Sequence, residues 1–500
     1  GTTNFTLNGG RNEYAIMGWF YRAAYDYKGK YLAEVNGRYD GTSRFPRGKR
    51  YGFFPSFSAA YRISEEAFFE PLRKTVDNLK IRLSYGSLGN QQIGYYDFIQ
   101  TITTKGSMGD YSFDGTILGQ HATVSDPVSG NQTWEKVISK NLGADLNMFS
   151  NRLSLTADFY IRDTKGILGK GKSLPSIYGA NEPQVNSNNL RTKGYELVLG
   201  WRDSFKLAGS TFSYGITGTF SDYTAEYTKC DNPSGLIGDP YVGKKYGEIW
   251  GYKVDGLFRN DEEAAEYASR VDLSKVAAGY YSATGAYGKG VRGGDIKYLD
   301  LDGSGIVDGG KGTLEDPGDR RVIGNSSPRY QYGLTLNLSW YGFDLSVFMQ
   351  GIGRLDWYPG ADNLRFWGPY SRPYATFIPK NFMSQVWSES NPDAYLPRAR
   401  AYTSLNSTQG TAYYTNDRYL QNLAYCRLKN LTLGYTIPKR LTSKVGIKEC
   451  RVYFSGENLA TWSALKNDFL DPEQAAADSD KKSNVYPWCR TYSVGLNLTF

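Results

Sequence analysis

The sequence predicts an all-β chain that forms part of a transmembrane antiparallel β-barrel with long extracellular loops. Three observations favour this fold class: strands with a two-residue alternation, connections that are in turn short and long, and no apolar run of helix-spanning length in 500 residues. Aromatic residues make up 15% of the chain, yet the mean hydropathy is −0.51. A barrel reconciles the two values, because half of each strand faces water and the loops are polar.

The alternation is clearest at the end of the chain. Apolar side chains occupy every second position there, at Tyr492, Val494, Leu496, Leu498 and Phe500. A final apolar strand that stops on an aromatic residue is typical of an outer-membrane barrel, whose last strand closes the sheet. A soluble β-sandwich with one solvated face is the alternative. However, the polar face of the segment 151–163 carries Asp158 and Arg162, which a dry sandwich core would tolerate poorly.

We expect about thirteen membrane-crossing strands. They lie near residues 12–25, 30–40, 51–63, 78–88, 134–149, 151–163, 192–203, 210–221, 329–340, 341–351, 421–437, 449–458 and 488–500. Segments 95–104 and 245–258 also resemble strands, which leaves the count open by one.

Short connections alternate with long ones along these strands. The long ones cover about residues 89–133, 164–191, 222–328, 352–417 and 459–487. In outer-membrane barrels the short turns are periplasmic and the long loops extracellular. If the last strand runs toward the periplasm, an odd strand count means that the first strand runs toward the periplasm as well. Single-chain barrels, however, normally have an even number of strands. We therefore expect residues 1–500 to be the C-terminal part of a larger barrel, with the first strands absent from this chain.

Charge and motif content exclude several function classes. The net charge of +8 comes from 58 basic and 50 acidic residues that are dispersed, without the basic stripe of a nucleic-acid-binding protein. Four cysteines lie far apart and form no CxxC pair. His121 is the sequence's only histidine, and the sequence contains no nucleophile elbow, phosphate loop or HExxH motif. We therefore expect no enzymatic activity and no nucleic-acid partner.

An Asp-rich segment resembles a calcium loop. Oxygen ligands stand at positions one, three, five and nine of the EF-hand pattern, namely Asp300, Asp302, Ser304 and Asp308. Position twelve is Lys311 rather than Glu, so another carboxylate would have to complete the shell, from Asp295, Glu315 or Asp319. We predict a Ca²⁺ site. The alternative is an Asp/Gly turn whose carboxylates accept local backbone N–H groups.

An aromatic cluster in the predicted loop 352–417 is the candidate substrate-binding site. It contains Trp357, Tyr358, Phe366, Trp367 and Tyr370. Flat rings stack on sugar faces or bury peptide side chains, and they are favoured binding anchors. The alternatives are packing of the loop against itself and an interfacial girdle of aromatic residues, which barrels also have.

Five motifs, taken in order, resemble the SusC/RagA family of TonB-dependent outer-membrane transporters. They are FPSFSAAYRISEE at 54–66, LKIRLSYGSLGNQ at 79–91, GYKVDGLF at 251–258, GDIKY at 294–298 and GENL at 456–459. Their order and spacing match over nearly the whole chain. Each motif alone is weak evidence for the resemblance, whereas the five together are specific to the family.

The resemblance implies a 22-stranded barrel in the outer membrane of Bacteroidota that imports glycan (oligosaccharide) or peptide fragments. It also implies a SusD-like lipoprotein at the outer mouth, a TonB complex that acts on an N-terminal plug domain, and contact with outer-membrane lipid. No cofactor is required. The plug domain and about nine early strands are absent from this chain. A passive porin-type channel and a secreted β-rich carbohydrate-binding protein are the alternative functions.

Overall fold

A computed structural model describes residues 9–105, 112–113, 116–117, 121–172, 174–281, 290–372, 374, 376, 378–400, 404–405, 410–467, 470–476 and 488–500. Parts of the predicted loops 89–133, 164–191, 222–328, 352–417 and 459–487 lie outside the described residues. Thirteen strands form one antiparallel sheet in chain order, which confirms the predicted number. They are β1 Ile16–Tyr27, β2 Tyr31–Thr42, β3 Tyr51–Arg62, β4 Val76–Asn90, β5 Glu135–Met148, β6 Leu153–Lys170, β7 Gln184–Leu207, β8 Ser210–Lys229, β9 Arg329–Trp340, β10 Phe343–Arg354, β11 Tyr425–Thr436, β12 Glu449–Ser463 and β13 Thr491–Thr499.

The remaining elements are short and lie in the connections. The α-helices are Asp261–Ala268, Ala278–Tyr281, Leu364–Trp367 and Lys439–Thr442. The 3₁₀ turns are Ile63–Glu65, Ala67–Leu72, Ser176–Tyr178, Gly368–Tyr370, Met383–Gln385 and Ser443–Val445. Short strands pair within the loops at Ile102–Lys105 with His121–Val124, Ser112–Phe113 with Thr116–Ile117, Glu248–Tyr252 with Arg320–Asn325, Val254–Leu257 with Ile296–Tyr298, and Asp356–Trp357 with Gln421–Asn422. Among the described residues no helix is long and apolar enough to span a bilayer.

Tight turns join the strands at one end of the sheet. Both central residues have positive φ in the β7–β8 turn (Ala208 49°, Gly209 84°) and in the β9–β10 turn (Tyr341 48°, Gly342 82°). Two consecutive positive φ values define a type I′ turn, whose twist matches the right-handed twist of the flanking strands. Two connections at the same end, 63–75 and 437–448, are longer and contain short helical turns, and the predicted long loops leave from the opposite end of the sheet.

Register gives the sheet two chemically distinct faces. One cross-strand row on β9 to β13 is entirely apolar: Leu338, Leu345, Leu433, Phe454 and Val494. The neighbouring row on the same strands is small and polar: Asn337, Ser346, Thr432, Ser455 and Ser493. Because successive side chains point to opposite faces, the first row lies on the outer face and the second on the inner face. The predicted alternation at 492–500 is confirmed by this register.

Three strands are longer than the sequence suggests. Hydrogen-bonded pairing of β6 with β7 continues to Lys170 and Gln184, and pairing of β7 with β8 continues to Asn189 and Lys229. The predicted loop 164–191 therefore shrinks to 171–183. The apolar alternation ends before these strands do, because their outer ends have no lipid-facing side. Segments 95–104 and 245–258 contribute only to the short loop strands and do not join the large sheet.

Buried apolar side chains concentrate in the loops. Residues 230–328, 355–424 and 464–476, hereafter the loop lobe, supply the described hydrophobic core. Its fully buried members include Phe258, Leu273, Ile296, Tyr298, Trp367, Tyr419 and Leu423. The described parts of these three connections are therefore a folded unit at the end of the sheet opposite the tight turns.

The sheet order ends at β1 and at β13. All twelve residues of β1 are exposed, and in β13 all but Gly495 are exposed. Such edge strands present a row of backbone N–H and C=O groups that can pair with further strands.

Candidate functional site

The loop lobe contains a cavity of about 1010 Å³. Three segments line most of it: the strand Glu248–Tyr252, the glycine-rich turn 309–312, and the aromatic segment 355–361 that follows β10. Tyr413 and Tyr414 contribute a fourth wall. The fold brings these segments together although they are spread over residues 248–414 of the sequence. Their aromatic and polar side chains give a concave surface of the kind that binds small ligands.

Trp357 and Tyr358 are the two predicted anchors that reach this cavity. Trp357 is 5% exposed, and its Nε1 has no hydrogen-bond acceptor among the described residues. The Tyr358 hydroxyl donates to the Tyr414 carbonyl at 3.0 Å and accepts from Asn416 Nδ2 at 3.2 Å. A buried donor without a partner costs about 1–3 kcal/mol.

The other three predicted anchors are core residues. Phe366, Trp367 and Tyr370 are 2%, 0% and 3% exposed. The Trp367 ring lies 4.8 Å from the Phe366 ring and 5.0 Å from the Tyr419 ring, both in edge-on geometry. The Tyr370 hydroxyl donates to a carbonyl of the lobe itself at 2.5 Å. Their ring faces are covered, so the structure does not present them as a stacking surface. For these three residues the geometry corresponds to the alternative in which the loop packs against itself.

Buried tyrosines in and behind the cavity wall stay uncharged. Burial raises the pKa of Tyr298 and of Tyr358 well above 10, and it raises the pKa of Tyr252 to about 12. The Tyr298 hydroxyl donates to the Thr411 carbonyl at 2.5 Å. At physiological pH these hydroxyls are neutral, and those of Tyr298 and Tyr358 hold the segment 411–416 by hydrogen bonds.

The Asp-rich loop is held by its own backbone. Asp300 accepts the N–H groups of Gly303 at 2.8 Å and Gly305 at 2.9 Å, and Asp302 accepts that of Ser304 at 2.9 Å. The hydroxyl of Ser304 donates to the Ile306 carbonyl at 3.0 Å. These local bonds are the ones that the Asp/Gly-turn alternative describes.

Asp319 joins two of the four predicted ligands. Carboxylate oxygens of Asp300, Asp302 and Asp319 lie within 4.8 Å of one another. Oxygens that share one Ca²⁺ at about 2.3–2.6 Å are at most about 5 Å apart, so these three side chains fit a cation. Asp308 is not in the group, and its Oδ1 accepts the N–H of Gly310 at 2.7 Å. Burial and the neighbouring carboxylate of Asp302 raise the pKa of Asp319. The backbone N–H groups of Leu301 and Asp308, which donate to Asp319, lower it but do not outweigh the burial.

Asp295 lies elsewhere and does not complete this shell. Its carboxylate is 1% exposed and forms a bidentate pair with Arg400, with Oδ1 to Nε at 2.8 Å and Oδ2 to Nη2 at 2.5 Å. The Arg400 guanidinium also lies 4.2 Å from the ring of Tyr280. This buried pair clamps two distant segments of the lobe together.

A capping box begins the helix Asp261–Ala268. Asn260 Oδ1 accepts the N–H of Glu263 at 2.9 Å, and Glu263 Oε2 accepts the N–H of Arg259 at 2.7 Å. Lys297 Nζ is 3.0 Å from the other Glu263 oxygen. Burial disfavours the charged form, but the Arg259 N–H and the Lys297 ammonium outweigh it and hold the pKa of Glu263 below its usual range.

Sequence reasoning placed Asp158 on the polar face but missed its ion-pair partners there. Arg82 on β4 makes bidentate contacts of 2.9–3.1 Å with Asp145 on β5 and Asp158 on β6. Lys80 is 3.0 Å from Asp145. The signal was available, because each of these residues occupies a polar position of the alternation.

Sequence reasoning also missed a tether at the last loop. Arg427 on β11 is 1% exposed and donates to Thr461 at 2.9 Å, to Glu473 at 2.7 Å, and to Asp471. Lys429 donates to Glu473 at 2.7 Å. These bonds draw the segment 470–476 inward against the barrel wall.

Comparison with known proteins agrees with an outer-membrane β-barrel. Residues 1–459 match the family model described as TonB dependent receptor-like, beta-barrel. TonB-dependent receptor P26 of Formosa agariphila is 28% identical over 508 residues, which cover 97% of this chain and 46% of the relative. TonB-dependent receptor SusC of Bacteroides thetaiotaomicron is 23% identical, with 97% and 44% covered. A solved structure of the RagAB peptide transporter matches with a TM-score of 0.70 at 21% identity, covering 97% of this chain and 48% of that chain.

A sheet with an apolar outer face, a polar inner face and a folded lobe at one end defines a transmembrane β-barrel protein of the outer membrane. The predicted fold class and location are confirmed by the family match and by the RagAB fold. The chain belongs to the TonB dependent receptor-like β-barrel family. It spans about half the length of the curated relatives it matches.

Proposed function

We propose that this chain is the C-terminal part of the barrel of a TonB-dependent importer that takes up oligosaccharide or peptide fragments. The observation that carries the proposal is the polar inner face of the sheet beneath a folded loop lobe with its own cavity. The name SusC of one relative and the peptide transporter title of the RagAB structure support it. The proposal assigns no catalytic role to the chain.

We place the remaining strands and a plug domain in the rest of the protein. The exposed edge of β1 and the double length of the relatives support this arrangement. A TonB complex would act through the plug, and a SusD-like lipoprotein would cover the loop lobe. Pulling on the plug would then open a path along the charged inner face.

Trp357 is the proposed contact to substrate in the cavity. Its ring borders the cavity, and its indole N–H is covered and has no acceptor among the described residues. Once the side chain turns toward the cavity, that N–H would meet a carbonyl or hydroxyl oxygen, which both peptides and oligosaccharides offer. Trp357→Phe removes the donor and keeps a ring, so we expect about fivefold weaker substrate binding, equivalent to about 1 kcal/mol. Trp367→Phe is the matched control, because that indole N–H is also unpartnered among the described residues but lies outside the cavity. Equal effects of the two variants would contradict the assignment.

We also propose that Asp300, Asp302 and Asp319 hold Ca²⁺. The chemistry it supplies is a positive centre that draws three carboxylates together and stiffens the loop. Calorimetric titration of the full-length protein with Ca²⁺ should give a binding heat that Asp302→Asn weakens. Asp308→Asn should leave the heat unchanged, because Asn keeps the acceptor that Gly310 uses. Absence of any binding heat would leave the local N–H bonds as the loop's only support.

The transport proposal is tested by uptake in the host bacterium. Deletion of the full gene should abolish uptake of a labelled peptide or oligosaccharide mixture, and dissipation of the proton-motive force should do the same. A SusD-like lipoprotein should copurify from detergent-solubilised outer membrane. Uptake that survives de-energisation would favour the passive porin, and recovery of the protein in the soluble extracellular fraction would favour the secreted carbohydrate-binding protein.

A further inference from the structure

The outer face of the sheet carries a groove of about 650 Å³ across β5 to β8. Each strand lines it with three consecutive residues: 140–142, 159–161, 193–195 and 222–224. The first and third residue of each set share the face of the apolar rows, since Leu142 pairs with Phe159 and Phe159 with Tyr195. The middle residues contribute the floor. The groove therefore opens toward the surrounding membrane rather than toward the barrel interior.

One wall of the groove is apolar and aromatic. Leu142 and Phe159 are 49% and 55% exposed, which is expected only for side chains that meet lipid. The Phe159, Tyr195, Phe220 and Tyr330 rings form a continuous row, with successive centroids 6.3, 6.0 and 6.4 Å apart. This row crosses the middle of β6, β7 and β8 and reaches the loop end of β9 at Tyr330.

The other wall carries two lysines, Lys140 and Lys193, that form no direct ion pair among the described residues. Lys140 and Lys193 are exposed and flank Ile161 in register. The carboxylates around the groove are already paired: Asp163 with Arg191, Asp222 with Arg329, and Glu226 with Lys245. In the described part of the chain neither lysine has an ion pair of its own. The surroundings of the groove therefore carry more basic than acidic groups, and the net charge beside the aromatic row is positive.

A second basic pair lies further along the same strands. Lys136 on β5 and Lys165 on β6 are direct cross-strand neighbours on this outer face. Both side chains are exposed. Like charges in this position repel each other unless an anion lies between them. The basic character of this side therefore extends from the groove toward the extracellular end.

We propose that the groove binds an anionic, phosphate-bearing lipid of the outer leaflet. The acyl chain would lie on the Leu142, Phe159 and Tyr195 wall, and the phosphate would meet Lys140 and Lys193. The order of chemistry fits a lipid, with the apolar wall toward the membrane centre and the cations toward the extracellular surface. The two lysine backbones are two strands apart, about 10 Å, so their ammonium groups reach one phosphate or two adjacent ones. The proposal rests on the outer-membrane location and not on the transport function.

Binding to mixed micelles tests the proposal. The full-length protein in detergent is titrated with a bisphosphorylated, multiply acylated glycolipid and with its dephosphorylated form. We expect the phosphorylated lipid to bind more tightly, with an affinity that falls as salt rises. The double variant Lys140→Gln, Lys193→Gln should bind it about 30-fold more weakly, since each surface lysine contributes about fivefold. The control is Lys439→Gln, Lys444→Gln in the short connection 437–448, which should bind like the unaltered protein.

Three results would overturn the proposal. The first is equal affinity of the double variant and the unaltered protein, with both folded by circular dichroism. The second is full competition by inorganic phosphate at the concentration at which the lipid binds, which would mark a site for free anions. The third is a double variant that keeps lipid affinity and changes only its oligomeric state, which would mark a contact between copies of the protein.

Discussion

Replacing Arg427 by Met tests whether ion pairs hold the last extracellular loop against the barrel wall. The Arg427 side chain is 1% exposed, and its guanidinium contacts both Asp471 and Glu473. Asp471 in turn organises the loop backbone. Its carboxylate accepts the N–H of Glu473 at 3.0 Å, and its carbonyl accepts the N–H groups of Gln474 at 3.2 Å and Ala475 at 2.9 Å. Loss of the arginine should therefore be felt at the amides of residues 473–475.

The expected magnitude follows from burial. Breaking a buried ion pair costs about 3–5 kcal/mol, and the low end applies here because the two carboxylates are 19% and 22% exposed and can regain water. About 3 kcal/mol corresponds to roughly 100-fold faster exchange of these amides, measured by hydrogen–deuterium exchange with mass spectrometry on the full-length protein. Lys429→Met removes only a partly exposed contact to Glu473 and should give roughly fivefold. The reasoning is refuted if Arg427→Met leaves exchange within about twofold of the unaltered protein, or if Lys429→Met has the same effect.

Three further predictions concern the lobe core, a helix cap and the sheet faces. Trp367→Ala empties a fully buried site and should destabilise the lobe by about 3–5 kcal/mol in thermal unfolding, whereas Ile177→Ala, at a side chain 95% exposed, should change it by less than about 0.5 kcal/mol. The lowered pKa of Glu263 means that its contribution is present above the usual carboxyl value of about 4.3 and is lost as the pH falls through the folded value. Amide exchange at the start of the helix 261–268 should therefore rise only when the pH falls below the usual carboxyl pKa of about 4.3. A rise at higher pH would contradict the cap. Leu334→Arg on the outer face should impair insertion into lipid vesicles by about 2–4 kcal/mol, while Thr335→Arg on the inner face should insert normally; equal insertion of both would refute the assignment of the faces.

Lipid contact explains why most of the sheet could be predicted from the sequence. Where one face meets lipid and the other meets water, side chains must alternate, as they do along Leu334 to Trp340. Beyond the membrane that constraint ends. At the outer end of β8 the alternation is inverted, with Asp222, Thr224 and Glu226 on the outer face and Tyr223, Ala225 and Tyr227 on the inner face. The apolar stripe that marks a lipid-facing strand is therefore missing there, and the predicted strands are too short.

The site was less predictable because it depends on what covers each side chain. Trp357 and Trp367 look alike in the sequence, yet one borders the cavity and the other is enclosed by aromatic rings. The Asp-rich motif predicts that Asp300 and Asp302 lie close together, and they do in the structure. Only the fold distinguishes Asp319, which approaches them, from Asp295, which pairs with a distant arginine. Contacts between residues far apart in sequence leave no local pattern.

The central claim is that the sheet is a wall between lipid and a polar barrel interior. A spin-label scan of β9 in the full-length protein, reconstituted in lipid bilayers, tests it most directly. Labels at Leu334, Leu336 and Leu338 should be accessible to oxygen dissolved in the bilayer. Labels at Thr335 and Asn337 should be accessible to a water-soluble nickel complex, giving two out-of-phase profiles with a period of two residues. Equal accessibility of all five positions to the nickel complex would contradict the account.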